Sequence, residues 1–514
     1  MQNVQRDGVD LLVVGGGVNG CGIARDAAGR GLSVMLVERD DLAGHTSSGS
    51  TKLVHGGLRY LEYYEFALVR KALAERERLL RSAPHIMWPL RFVLPHEPHL
   101  RPVWMIRAGL FLYDHLAKRE WLPASVTLDL RRDVAGQPLR PSFTRGFEYS
   151  DGWVDDARLV VLCAVDARRQ GADIRTRTRL VQARRDGDHW LATIESEGRS
   201  TTVRARSLVN ASGPWAAELL GAAMPPALAP RHGLRLVRGS HLVLDRLFDH
   251  DRAYIFQNAD GRIVFAIPYE RDFTLLGTTD SETGSPADPA ASQAEIDYLL
   301  EVARRHFAQP VDRSMIRHSY SAVRPLLEGE GTAAAVTRDY SLELDRDGAP
   351  LLNVWGGKIT TFRRLAEEAV DQLADALAMP AKAWTADATL PGGDIPALAG
   401  AGRSSDPQQA FHAFVQSLER RFADRPAALV QRLARLYGTE AVGILDRPGL
   451  LVPGVPQSEL EHAWTREWAR TGDDFLWRRT KLGLHLDRAA QDAVTAWFDA
   501  RRALDADRSS AAAS

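Results

Sequence analysis

The 514-residue sequence predicts an α/β chain in three parts. A nucleotide-binding domain is assembled from separated pieces, an antiparallel β-rich domain is inserted into it, and an all-helical region follows. Three observations carry this reading. A strand, a glycine turn, a helix and a second strand open the chain at residues 11–40. The same strand–turn–helix logic returns in LVNASGPWAAELLG at 208–221. Between and beyond these, strand patterns with tight turns give way after residue 408 to helical periodicity.

The opening unit is read first. Residues 11–14 form a short apolar, β-branched run, as expected of a buried parallel strand. Gly15, Gly17 and Gly20 then satisfy G-x-G-x-x-G. The first glycine allows the turn, the second lets a pyrophosphate approach the backbone, and the third lets the helix pack close. Residues 18–29 continue as a small-residue helix whose free N–H groups favour a phosphate. Residues 32–37 are the second strand, and Glu38 ends it where an acid can bond ribose hydroxyls.

Residues 62–81 predict a charged amphipathic helix with Phe66, Leu68, Val69, Leu73, Leu79 and Leu80 as its apolar set. Residues 103–116 are apolar around most of a helix, with Arg101, Arg107, Lys118 and Arg119 nearby. That helix is too short to span a bilayer. A buried core helix is the first reading, and an interfacial helix the second, kept open by Trp104, Phe111 and Trp121 beside the bases. Residues 155–171 read as a helix N-capped by Asp155 or Asp156. Strands are expected at 174–179, 190–195 and 201–209. HLVLD, AYIFQ, RIVFAIPY and FTLLGTTD, within 241–280, read as an antiparallel meander. A helix over 293–307 and further strands at 320–327, 335–344 and 349–357 follow. DRDG at 345–348 lacks the spaced ligands of a calcium loop and reads as a hairpin turn. Residues 390–407 read as a linker, and the tail DRSSAAAS as frayed.

Composition narrows the function. Lys+Arg is 65 and Asp+Glu 66, for a net charge of −1, which gives no support to nucleic-acid binding. The two cysteines, Cys21 and Cys163, lie in apolar helical contexts and suggest buried thiols, with no disulfide framework or metal site. The opening residues match neither a secretory nor a transit segment, so a cytoplasmic setting is expected.

Further turns favour a flavin dinucleotide over a nicotinamide one. TSSGSTKLVHGGLRYL at 46–61 is rich in hydroxyl and backbone donors. NASGPWA at 210–216 and VWGGKITTFRRLAE at 354–367 add two glycine-bearing turns. In the last, Gly356 and Gly357 permit close approach, Lys358 supplies a cation, and Thr360 and Thr361 begin a helix suited to developing negative charge.

These pieces, taken in order with LRPVWMIRAGLFLYDHL, FEYSDGWVDDARLV, IPYERDFTLLGTTD, SAVRPL and TRDY, resemble the bacterial FAD-dependent, respiratory glycerol-3-phosphate dehydrogenases. Those enzymes belong to the D-amino-acid-oxidase-like flavoproteins. The resemblance spans nearly the whole chain, and departs only mildly at Cys21, Gly49 and Thr51. It implies an FAD-binding Rossmann-like domain at 1–83, 150–225 and 350–389, a substrate domain at 84–149 and 226–349, and a helical domain at 390–514. It also implies oxidation of sn-glycerol 3-phosphate to dihydroxyacetone phosphate, electron transfer to membrane quinone, a homodimer, and peripheral attachment to the inner face of the cytoplasmic membrane near 101–119.

For the cofactor the resemblance implies Gly15, Gly17, Val18, Asn19 and Gly20, with Glu38 and Arg39 beyond them. In the following loop it implies Thr46, Ser47, Ser48, Ser50, Lys52, His55, Gly56 and Gly57. The later turns contribute Ala211, Gly213 and Trp215, then Gly357, Lys358, Ile359 and Thr360. For the substrate it implies His55, Arg59, Tyr60, Arg324 and Arg338. The catalytic set is His241, Arg324 and Lys358. Arg324 stays protonated and serves as an anchor, so His241 is the candidate proton acceptor, with His55 as runner-up. A glycerol-3-phosphate oxidase using oxygen, an amine oxidase of the same fold, an NAD-linked dehydrogenase and a flavin-binding scaffold without turnover are the alternatives.

Overall fold

The computed structural model describes residues 8–228, 233–287, 289–327, 339–379, 382–398 and 405–513. Two sheets carry the architecture. Val9–Val14 sits centrally in an eight-stranded sheet, between Arg199–Asn210 and Val34–Val37. Val13 lies opposite Val209 on one side and Leu36 on the other. Asp173–Arg175 and Leu351–Trp355 extend the parallel part, and Ser341–Asp345 closes one edge antiparallel.

Alternation along the central strand explains why its run is uniformly apolar. Leu11 and Val13 pack under the helices Val18–Gly29, Asp156–Arg169 and Phe362–Ala376. Leu12 and Val14 pack on the opposite face, against the hairpin of Thr178–Asp186 and His189–Ser196 and the helix Ala216–Ala223. Both faces are covered over residues 11–14, and those four positions are apolar, while Asp10 at the strand's start pairs with Arg206. The second segment therefore does return to the first, and the expected turn DRDG joins two paired strands.

The second sheet has ten strands. The expected meander is present: Ala253–Gln257, Ile263–Tyr269 and Phe273–Gly277 pair in series and end on Leu234–Asp245. Ile316–Leu327 pairs with the other edge of Leu234–Asp245. Met87–Pro95 and Arg145–Val154 complete the far side. Gln293–His306 covers one face, started by a capping box between Ser292 and Glu295.

Several expectations need correction. The strand expected at 174–179 is two strands, separated by a turn in which Arg177 has φ +52°. Thr178–Asp186 was not anticipated; its polar outward positions hide the alternation. The first long helix starts at Phe66, and that ring is exposed rather than core. Val103–His115 is not a core helix. Only Leu110, Tyr113 and Asp114 are buried along it, while Trp104 is 68% and Phe111 63% exposed. The start of the supposed linker is packed: Leu390 and Ile395 are buried, and a Cβ at Gly392 would fall 2.4 Å from the Tyr437 carbonyl oxygen. The tail continues the helix Arg488–Ala513. Cys21 and Cys163 are buried free thiols, and among the described residues no helix is long and apolar enough to cross a membrane.

The C-terminal helices dock on the first domain through charge. Arg158 is fully buried and donates to Glu467 Oε2 at 2.7 Å and to the Leu436 carbonyl at 3.0 Å. Burial pushes the Glu467 carboxyl up, but Arg158 and His462 outweigh it and hold the group well below the ordinary carboxylate range. The stability this contributes is complete above the ordinary value of 4.5 and drains away as pH falls below it. Urea midpoints should therefore drop below about pH 4.5, with a shallower drop in Glu467→Gln. An identical profile in that variant would remove the pair from the acid response.

Candidate active site

One elongated cavity of about 630 Å³ runs between the two sheets, at the carboxyl ends of the parallel strands. The glycine turn forms its floor. Gly15 has φ +114°, and a Cβ there would lie 2.5 Å from the Ala211 carbonyl oxygen. A Cβ at Gly20 would lie 1.9 Å from the Gly15 oxygen, so this glycine sets helix packing and does not line the cavity. Gly17, Val18 and Asn19 do line it.

Glu38 has two tasks. It lines the cavity, and its carboxylate accepts the Gly16 N–H at 2.6 Å and the Asp40 N–H at 2.8 Å. Burial pushes its carboxyl up, against these donors. Glu38, Asp40 and His45 approach one another as metal ligands would, but His45 Nε2 already meets Asp40 at 2.8 Å. Arg39 lies over the Trp215 ring at 4.2 Å, and Gly213 joins them in the lining. The loop from Thr46 is tied to both sheets. Thr46 donates to the Val323 carbonyl at 2.7 Å, and Ser47 accepts the Val18 N–H at 3.0 Å.

Not every expected residue reaches the cavity. Lys52 is buried and points the other way: its ammonium meets Asp156 at 2.7 Å and the Ser48 carbonyl at 3.1 Å. Ser50 accompanies it, bonded to Asp156 through N–H and hydroxyl, and still borders the cavity. Ser48 and Gly56 are also outside the lining. The Gly56 N–H donates to the Tyr113 hydroxyl and to Asp151, which also receives the Tyr113 hydroxyl and Arg76. Lys52, Ser48 and Gly56 therefore hold the loop in place rather than line the cavity. Arg338 lies outside the described residues.

The far end gathers the expected reactive set. His55, Gly57, Arg59, Tyr60, His241, Arg324 and Lys358 all line it. His241 and Arg324 stand on the paired strands Leu234–Asp245 and Ile316–Leu327. Tyr320, Ala322 and Arg324 share one face by the two-residue period. His241 stacks on Tyr320 with centroids 4.8 Å apart, and its Nε2 meets the Thr51 hydroxyl at 2.9 Å. Burial, then Arg324 and Lys52, hold the imidazole well below its ordinary value. Arg324 pairs with Asp280 and donates to the Thr278 hydroxyl at 2.9 Å. Gly239 makes room for it: a Cβ there would fall 2.2 Å from its Nη2. Lys358 sits 4.0 Å from the Tyr60 ring centroid and N-caps the turn Ile359–Thr361, whose Thr360 hydroxyl accepts the His55 N–H.

Thr51, Thr278, Asp280, Asp151 and Tyr320 were missed as site residues. The alternation in YSAVRPLL carried a signal for Tyr320, since it repeats the spacing that places Arg324. The residues fit an elongated two-nucleotide cofactor. Asn19 Oδ1 is buried without a partner beside the cavity, and Gly357, φ +102°, leaves a gap in which a Cβ would lie 3.0 Å from the Asn19 amide.

Comparison with known proteins places this cavity in a family. Residues 10–363 match the model described as FAD dependent oxidoreductase. A glycerol-3-phosphate dehydrogenase of Pseudomonas aeruginosa is 51% identical over 494 residues, covering 94% of this chain and 93% of its own. A D-erythritol 1-phosphate dehydrogenase of Brucella abortus is 48% identical over 502 residues, covering 95% and 97%. The crystal structure of a Bacillus halodurans glycerol-3-phosphate dehydrogenase complexed with FAD superposes with a TM-score of 0.75, at 27% identity, covering 96% of this chain and 91% of its own.

Lys52 gives this geometry a direct check. Lys52→Met leaves the Asp156 carboxylate buried and unpaired, and should cost about 3–5 kcal/mol in urea unfolding of the apo-protein. Lys52→Met with Asp156→Leu should recover most of it. A single variant as stable as the parent would mean that Lys52 does not hold the loop.

Proposed function

The chain belongs to the family of FAD-dependent oxidoreductases, and on that premise we propose that it oxidises sn-glycerol 3-phosphate to dihydroxyacetone phosphate and passes the electrons to a membrane quinone. The observation that carries the proposal is the meeting of a neutral imidazole with three cationic side chains, Arg59, Arg324 and Lys358, at one end of a flavin-sized cavity. A phosphorylated secondary alcohol needs those two things together: a proton acceptor for the hydroxyl, and charge to hold a dianion. The 51% identity to a glycerol-3-phosphate dehydrogenase supports the same substrate.

Each residue then has a task. Arg324 binds the phosphate, with Asp280 and Thr278 fixing its guanidinium plane. Arg59 and Tyr60 complete the pocket wall, and Arg338 is the proposed second phosphate anchor. His241 accepts the hydroxyl proton. At neutral pH its ring is uncharged, so it needs no prior deprotonation, and Thr51 and Tyr320 fix the ring plane. Bound FAD supplies the hydride acceptor. Lys358, next to a helix N-terminus, would supply positive charge to offset the negative charge of a reduced flavin.

The Val103–His115 helix supports the membrane part of the reading. Trp104, Phe111 and Tyr64 are exposed, and a basic hollow lined by Arg70, His115, Lys118 and Arg119 adjoins its end. Aromatic rings beside cations suit a bilayer interface, which is where a quinone is met. A second reading follows from the 48% identical relative: D-erythritol 1-phosphate presents the same phosphate with a longer polyol.

Anaerobic addition of glycerol 3-phosphate should bleach the flavin band, and a quinone analogue should restore it. Faster bleaching by D-erythritol 1-phosphate would move the substrate assignment to the four-carbon polyol. Stoichiometric peroxide at full turnover in air would replace quinone by oxygen. Arg324→Ala should lower kcat/KM by roughly 10- to 150-fold, the loss of a charge-assisted contact of about 1.5–3 kcal/mol. Unchanged kinetics would remove Arg324 from the phosphate site.

A further inference from the structure

Among the described residues the C-terminal helices carry no group that lines the cavity, yet one of their segments grips the two loops that wall its nucleotide end. The segment is Asp474–Arg479 and the residues just after it. Its arginines converge on Asp41, which is buried and does not itself line the cavity. Arg479, fully buried, makes a two-pronged contact, at 2.7 Å to Oδ2 and 2.8 Å to Oδ1. Arg478 adds a third bond at 2.5 Å.

Asp41 belongs to the loop beneath the glycine turn. Two residues on, the Ala43 N–H donates to the Gly16 carbonyl at 3.1 Å. Ala43 and Gly44 border the cavity, and the Leu42 side chain lies 3.0 Å from where a Gly16 Cβ would stand. The same segment holds the opposite wall. Asp474 accepts Arg177 at 2.5 Å, and the Arg177 N–H donates to the Asp40 carbonyl at 2.9 Å. Thr178, next in sequence, bonds the Glu38 carbonyl at 2.8 Å and lines the cavity with Arg179 and Leu180. Trp477 anchors the segment from the other side, stacked on His318 at 4.2 Å.

Five charged groups thus tie the acid loop at 38–41 to the turn at 177–178. We propose that this cluster is a clasp for the nucleotide half of FAD, with Asp41 and Arg478 as positioning residues that act through the Glu38–Gly44 loop. The proposal rests on the cavity holding FAD with its adenosine end at Glu38 and Trp215. A two-pronged arginine contact fixes a loop in angle as well as distance, so losing it loosens the loop whose Glu38, Ala43 and Gly44 border the cavity. The cost then appears as affinity, through the ordering the loop must undergo on binding.

The test uses apo-protein from the full chain, carrying Asp41→Asn or Arg478→Gln. FAD affinity is read by flavin fluorescence and ADP affinity by calorimetry, with circular-dichroism melting of each apo-protein alongside. Arg478 is partly exposed, so its variant keeps the experiment interpretable where Asp41→Asn melts early. The expected result is a loss of roughly tenfold for FAD and the same factor for ADP, from a difference of about 1.4 kcal/mol, with Arg478→Gln melting like the parent. Unchanged FAD affinity in both Arg478→Gln and Asp41→Asn, the variant that weakens the two-pronged Arg479 contact, overturns the clasp. So does a loss for FAD without a loss for ADP, which would put the effect at the flavin end. A parent apo-protein that binds ADP but takes up no FAD would overturn the cofactor assignment itself, a failure distinct from the first two.

Discussion

The buried pair of Lys52 and Asp156 is the constraint on which the cavity depends. Taking both charges out of water is costly, and their attraction offsets that cost only if the remaining lone pairs and protons are matched. Here they are: Asp156 receives Ser50 twice, and the Lys52 ammonium also meets the Ser48 carbonyl. The loop that satisfies this pair is the loop that links the two sheets. Its positions are therefore set by a charge that cannot be left alone. Lys52 also lies 5.2 Å from the Tyr320 ring centroid, and Tyr320 stacks on His241, so the same ammonium bears on the proposed proton acceptor.

That arrangement explains how one imidazole stays neutral among cations. Arg324 and Lys52 both disfavour a second positive charge on His241, and burial disfavours it more. The proposed base therefore stays uncharged beside the cationic side chains that line the same cavity. Asp280 has a different part: it pairs with Arg324 and fixes the guanidinium. Arg324 still bears on the imidazole, as one of the charges that lower it.

Much of this was legible in the sequence because local rules and global packing agree there. The glycine turn, the acid at 38 and the returning segment at 208–221 obey backbone constraints that few sequences meet by accident, and the structure builds them as read. What escaped has a common cause. Lys52 is implied as a cofactor contact within TSSGSTK, but its backbone, at φ +59°, turns the side chain towards Asp156, over a hundred residues away. Thr178–Asp186 has the correct period on one face only, and its partner strand supplies the rest. The Val103–His115 run is apolar enough for a core, and only the packing of its neighbours reveals that most of it faces outward. Long-range electrostatics and the side chosen by a helix are not local properties.

The same surface helix bears on how the protein can be trimmed. Its exposed rings make it an obvious target for trimming when a better-behaved sample is wanted. Yet Tyr113 on its inner face shares Asp151 with the Gly56 N–H, three residues before Arg59. Removing the helix would strip a donor from a buried carboxylate and an acceptor from that loop at one stroke. A deletion made for solubility would be a mutation of the pocket, whereas exchanging Trp104 and Phe111 for polar residues would change the surface and leave the hinge-pin at Tyr113 in place.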